Sequence, residues 1–338
     1  DGLTDRGAAA VVELVDSGEL LALANYPTYD LSTYRQDYTE LSEDPAHPLY
    51  NRATSTPYAP GSTIKPLTAV AALEEGIVSP TDKIYSPYTW RYPGDPNSYS
   101  NCAGGSHGWI NVSQAITKSC NYFFSEMGYQ LGMDNLREYL SAFGLGAHTG
   151  IETGDNTGTL PENRPGEDQA PWAGYGQANQ AYTPLQLANY ICTLVSGGVR
   201  REPHLLKAVK SYDNSQVLAV GNTEPVQTLE LHDATLEAVK KGMYGYTQPG
   251  GSVAAYFQNC VVTAGAKTGT SQLGGDQKDN GVFVCFAPYD DPEIVVSIVI
   301  EHAGSGAALA PSAVKILNAY FSADNVSGSI TGENQLLP

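Results

Sequence analysis

"CVVTAGAKTGT" (residues 260–270), "GVFVCFAPY" (281–289) and "EIVVSIVIEH" (293–302) are three short apolar runs rich in β-branched and aromatic residues, the composition of strands. Asp290-Asp291-Pro292 lies between the last two and supplies turn chemistry. The opposite end of the chain has a matching pattern. "AAAVVELVDSGELLALANYP" (8–27) reads as two strands joined at Asp16-Ser17-Gly18 and stopped by Pro27. Between these ends the period becomes helical. Ser62 to about Glu75 is Ala-rich and closes on Gly76, and 111–132 supports helix on either side of a break at Ser119. Further helices are expected over 133–144, 183–198 with Pro184 in the first turn, 234–246 and 310–321. Residues 28–61, 77–108 and 144–182 read as loop, the first with short helical pieces. Strands from both termini with helices between them predict an α+β fold. One antiparallel sheet is flanked by helices, beside a mostly helical lobe. Residues 1–322 are expected to form one domain, and 323–338 a flexible tail.

The charge balance is 18 Lys+Arg against 36 Asp+Glu, a formal net charge of -18. A surface this acidic repels phosphate backbones and argues against a nucleic-acid partner. The five cysteines (Cys102, Cys120, Cys192, Cys260, Cys285) are odd in number, widely spaced and free of any C-x-x-C. Buried thiols are expected, rather than a zinc site, other metal or a disulfide framework. No stretch reaches 18 apolar residues, and the chain opens on Asp-Gly-Leu-Thr-Asp without a basic flank or apolar core. It reads as soluble as given, and its abrupt start before a strand is what removal of an upstream anchor would leave.

Three short motifs carry chemistry. In Ser62-Thr63-Ile64-Lys65 the hydroxyl and amine lie one helical turn apart. A serine is a poor nucleophile until a base takes its proton, and a lysine can do so when burial and nearby cations depress its pKa. The bland reading is a helix cap beside a solvated lysine. Ser312 and Lys315 repeat the spacing on the closing helix, by chance on this reading. Ser119-Cys120-Asn121 offers a hydroxyl for proton relay and an amide that both donates and accepts, although a polar helix junction accounts for it equally well. Cys120 between them is expected to be a packing residue. Lys267-Thr268-Gly269-Thr270 ends a strand candidate. Its hydroxyls and charge suit a carboxylate, and Gly269 would let a substrate backbone lie along the strand. A plain strand-to-turn signal is the alternative.

Taken together and in this order, the three motifs match the signature of penicillin-binding proteins and serine β-lactamases. The chain resembles a penicillin-binding transpeptidase domain over roughly residues 7–322. The likeness extends to "PLYNRATSTPYAPGSTIKP" (48–66), "HGWINVSQAITKSCNYFF" (107–124), "GLGAHTGIETGDNTGTLP" (144–161) and "GYGQANQAYTPLQLANYICTLVSGG" (174–198). It is greatest for the class B, monofunctional branch. The resemblance implies a serine β-lactamase/transpeptidase-like fold and no cofactor. It implies Ser62 as the acylated nucleophile, Lys65 as its base, and Ser119, Asn121 and Lys267 as further catalytic residues. Thr268, Gly269 and Thr270 would bind substrate, and the N–H groups of Ser62 and Thr270 would form an oxyanion hole.

The implied reaction is acyl transfer on peptidoglycan stem peptides ending in D-Ala-D-Ala, blocked covalently by β-lactams. The implied setting is the extracytoplasmic face of a bacterial membrane, with a membrane glycosyltransferase as a partner of the full-length protein. Three alternatives stay open: a D,D-carboxypeptidase, a serine β-lactamase, and a β-lactam sensor without turnover. Glu152 and Asn156 fit the loose E-x-x-x-N pattern of a hydrolytic carboxylate, but they fall inside a glycine-rich run that the transpeptidase resemblance already accounts for.

Overall fold

The apolar runs at the two ends of the chain pair with one another. In the computed structural model, which describes residues 6–272 and 278–322, β1 (Ala8–Leu14), β2 (Leu20–Tyr26), β3 (Gly265–Ser271), β4 (Asn280–Ala287) and β5 (Ile294–Ile300) form one antiparallel sheet in the order β3-β4-β5-β1-β2. The expected flexible tail at 323–338 lies outside the described residues. The strand expected over 260–270 begins only at Gly265, because Cys260 is still closing a turn onto Phe257.

Both faces of the sheet centre are covered, so β4 is buried at every position. Its side chains alternate between two cores. Val282, Val284 and Phe286 join the core shared with the helical lobe, while Phe283, Cys285 and Ala287 join a second core on the far face. The closing helix α6 (Ala310–Phe321) supplies Ala313, Val314 and Leu317 to that second core. On the near face lies α4 (Pro184–Val195), buried along its whole length. It is started by a Thr183–Gln186 capping box with Pro184 in the first turn.

The helical lobe is built around α1 (Lys65–Glu74), whose residues are buried through Leu73. Beside it run α2 (Val112–Thr117) and α3 (Asn121–Ala142), and α5 (Asp233–Thr247) packs against β3. The expected break at Ser119 separates α2 from α3. The two helices expected over 111–144 beyond it are one element interrupted at Gly132, whose φ of 71° is left-handed. Residues 77–108 depart from expectation. They contain short strands at Ile84–Ser86, Thr89–Tyr92 and Asp95–Asn101, and together with Gly108–Ile110 these form two small ribbons. Such short, Tyr- and Pro-rich strands show no usable alternation in sequence, yet the second ribbon delivers Asn101 and Cys102 to the site. Among the described residues, no helix is long and apolar enough to cross a membrane.

Candidate active site

Ser62 lies on a 3₁₀ turn, Gly61–Ile64, that feeds directly into α1. In a 3₁₀ turn residues three apart eclipse, so Ser62 and Lys65 point to one side more closely than in the α-helix expected there. Ser62 is half-buried at the edge of a cleft of roughly 740 Å³, whereas Lys65 is fully buried beneath it. A Cβ on Gly61 would stand 2.7 Å from the Thr270 nitrogen, and the φ of Gly61 is +51°. Glycine here lets the Ser62 turn press against the backbone of β3, bringing the main chain of Thr270 beside Ser62.

The Ser119 segment supplies the floor. Ser119 takes a left-handed φ of 50° between α2 and α3, a conformation rare for a residue with a Cβ and common at functional sites. Lys65 Nζ donates to Asn121 Oδ1 at 2.6 Å, to the Ser119 carbonyl at 2.8 Å and to Ser119 Oγ at 3.2 Å. Lys267 Nζ reaches the same hydroxyl from the opposite side at 2.9 Å, and also the Thr268 carbonyl at 3.1 Å. Two lysines about 200 residues apart in the chain thus converge on one serine hydroxyl.

Their environments depress both. Burial first, and then the Lys267 charge, hold Lys65 well below the ordinary lysine value of 10.5, while burial alone brings Lys267 down to about 7. The charge of Lys267 is therefore conditional on pH, not permanent.

Thr268 and Thr270 are half-buried and line the cleft with Ser62, Ser119 and Asn121. They lie on β3, the edge strand of the sheet, where an extended peptide can add by strand pairing. Gly269 has another reason for being glycine. Its missing Cβ would meet the Pro60 carbonyl at 2.2 Å, so it lets the Ser62 loop approach the strand, and it also lines the cleft beside Thr268 and Thr270. Asn121 uses its oxygen on Lys65, but its Nδ2 donates to the Asn101 carbonyl at 2.8 Å. Ser312 and Lys315 are exposed on α6, away from the cleft. Glu152 caps the Leu205 and Leu206 N–H groups, and Asn156 closes a turn onto Gly158. Among the described residues no Asp or Glu lines the cleft.

Cys120 is fully buried, as its expected packing role requires. It is not helical. With φ −72° and ψ 108° it is the N-cap of α3, and its Sγ accepts from Phe123 N. Ser86 Oγ lies 2.8 Å from this sulfur and Cys102 Sγ 3.4 Å. The Cys102 thiol, then the Ser86 hydroxyl, hold the Cys120 thiol below the ordinary range against the effect of burial. His107 completes a group whose three donor atoms all lie within 4.8 Å of one another. These residues could hold one soft divalent ion. Spacing gave no sign of this, because the ribbon at 89–101 brings Cys102 back onto Cys120. Cys120→Ala is expected to keep most of the acylation rate while costing about 1–2 kcal/mol of stability through the lost cap and packing. Stopped-flow acylation and a thermal melt on one preparation check both halves. A thousandfold rate loss in a folded variant would give Cys120 a chemical role.

Residues 8–320 match the penicillin binding protein transpeptidase domain. The chain is 32% identical over 353 residues to the peptidoglycan D,D-transpeptidase MrdA of Escherichia coli strain K12, covering 96% of this chain and 56% of that protein. The chain therefore spans little more than half the length of such curated relatives. It is similar in structure to Pseudomonas aeruginosa PBP2 in complex with WCK 5153, with TM-score 0.84 and 28% identity, covering 94% of this chain and 74% of that one. It is also similar to the imipenem acyl-enzyme complex of penicillin-binding protein A from M. tuberculosis, with TM-score 0.80 and 27% identity over 92% of this chain and 73% of that one. With the motif residues of three distant segments gathered in one cleft, and the family match running almost end to end, the chain belongs to the penicillin binding protein transpeptidase domain family.

Proposed function

We propose that this domain is a peptidoglycan D,D-transpeptidase working through an acyl-serine at Ser62. The observation that carries the reading is the convergence of buried Lys65 and Lys267 on Ser119 Oγ, at 3.2 and 2.9 Å, in the cleft that Ser62 also lines. Neutral Lys65 takes the Ser62 proton as the oxygen attacks the carbonyl between two terminal D-alanines. The N–H groups of Ser62 and Thr270 receive the developing oxyanion. The proton returns through Ser119 to the leaving D-alanine amine, and the acyl group stays on Ser62 as an ester. An amine of a second stem peptide then attacks the ester and forms the crosslink. Charged Lys267 and the hydroxyls of Thr268 and Thr270 hold the donor carboxylate at the edge strand.

A β-lactam offers a similar carbonyl and carboxylate and is a covalent inhibitor on this reading. The lack of an Asp or Glu among the described residues of the cleft favours slow release of the adduct, against the β-lactamase alternative. Stem peptides lie outside the membrane, so the same reading assigns the domain to the extracytoplasmic face of a bacterial cell. There a membrane glycosyltransferase would supply the nascent glycan.

The test combines intact-mass measurement during incubation with a labelled penicillin and a crosslinking assay on stem peptides ending in D-Ala-D-Ala. A stoichiometric, slowly released adduct and a crosslinked dimer with one D-alanine lost per link are expected. Release of D-alanine with only free acid formed would make the domain a carboxypeptidase. Catalytic turnover of penicillin would make it a β-lactamase, and the absence of any adduct would overturn acyl transfer altogether.

A further inference from the structure

Near the end of α5, one residue that no sequence motif singles out touches two members of the cleft. Tyr246 is 3% exposed, and its ring packs within the second core, yet its hydroxyl reaches the cleft. The ring centroid lies 4.4 Å from Lys267 Nζ, and the hydroxyl is 2.6 Å from Thr268 Oγ1. We propose that Tyr246 is a positioning residue for the carboxylate end of the cleft, aligning the Thr268 hydroxyl and the Lys267 ammonium for donors with a free carboxylate. This rests on the acyl-transfer reading above.

The direction of the hydrogen bonds carries the argument. A carboxylate only accepts, so Thr268 has to donate to it. The Thr268 oxygen is then left to accept, and the Tyr246 O–H is the donor already in place. The result is a one-way chain, Tyr246 to Thr268 to carboxylate, in which each bond polarises the next. Without the phenol hydroxyl, the Thr268 hydroxyl is free to rotate and its oxygen loses a partner in a partly buried setting. The ring acts separately. Its π face lies over a lysine removed from water, where a cation–π contact favours the charged form that burial opposes. Were Tyr246 only a core aromatic, phenylalanine would replace it without consequence.

The decisive comparison uses one penicillin as its carboxylate and as its methyl ester, with rates normalised to the folded fraction. Tyr246→Phe is expected to lower the second-order acylation constant about tenfold for the carboxylate, mainly through weaker pre-acylation binding. For the ester the change should stay within about twofold. Thr268→Val alone should show the same carboxylate-selective loss, and adding Tyr246→Phe to it should change nothing further. Tyr246→Leu, which also removes the ring, should lose more than Tyr246→Phe. Equal losses for carboxylate and ester, or losses that multiply with Thr268→Val, would overturn the assignment. A wild-type protein that forms no adduct removes the acyl-transfer reading and this inference with it. Wild-type acylation matched by Tyr246→Phe removes this inference alone.

Discussion

Ser62→Ala is expected to abolish covalent capture of penicillin, with the acylation constant falling roughly 10⁴-fold or more and the thermal melt little changed. The loss should be this complete because no other hydroxyl among the described residues is equipped to take over. Ser119 is also in the cleft, but its Oγ is held between two lysine amines at 3.2 and 2.9 Å. Ser312 shares the Ser-x-x-Lys spacing, yet it and Lys315 are exposed on the outer helix α6. Among the described residues, Ser62 alone combines partial exposure, the turn that presents it and the nearby Thr270 main chain. Peptide mapping of the penicillin-treated wild type should put the added mass on the fragment containing Ser62. An adduct that persists in Ser62→Ala at wild-type yield would show the nucleophile to be elsewhere.

Lys65→Arg is expected to cost about a thousandfold or more in acylation, because a guanidinium stays protonated at any working pH and cannot accept the serine proton. Lys267→Arg retains the charge, so measurable acylation should survive. The site around Lys267 is fully buried, however, and the larger head group will disturb its contacts to Ser119 and Thr268.

The pH dependence separates the two lysines by sign. On the proposed mechanism acylation needs Lys65 neutral, so the rate should rise as pH climbs through its depressed value. The same mechanism needs Lys267 charged, so the rate should fall as pH passes about 7 in the free enzyme. In Lys267→Arg that alkaline fall should vanish while the acid limb remains. Second-order acylation constants for both variants across pH 5 to 10 provide the check. If Lys65→Arg reacts as fast as Lys267→Arg throughout, Lys65 is not the base.

What could be read along the chain was whatever depends on neighbours in sequence. The apolar strands at both ends, with a helical period between them, sufficed for an antiparallel sheet beside a helical lobe. Thr183-Pro184 started its helix where capping chemistry requires, because a cap is local. The three motifs were legible as short spacings, and their order identified the family. Other features arise only when distant segments meet. Gly269 is explained by the Pro60 carbonyl beneath it, and Asn121 Nδ2 is claimed by the Asn101 carbonyl. The depressed pKa of Lys65 follows from burial and from a cation some 200 residues away. Cys102, His107 and Cys120 form a donor group because a short ribbon folds back onto the N-cap of α3. Tyr246 falls at an unmarked place in a helix and gains its meaning from Thr268 and Lys267 on the strand it faces. Periodicity and capping are set within a few residues by backbone geometry. Burial, proton affinity and the direction of a hydrogen bond are set by whichever atoms the tertiary fold brings alongside.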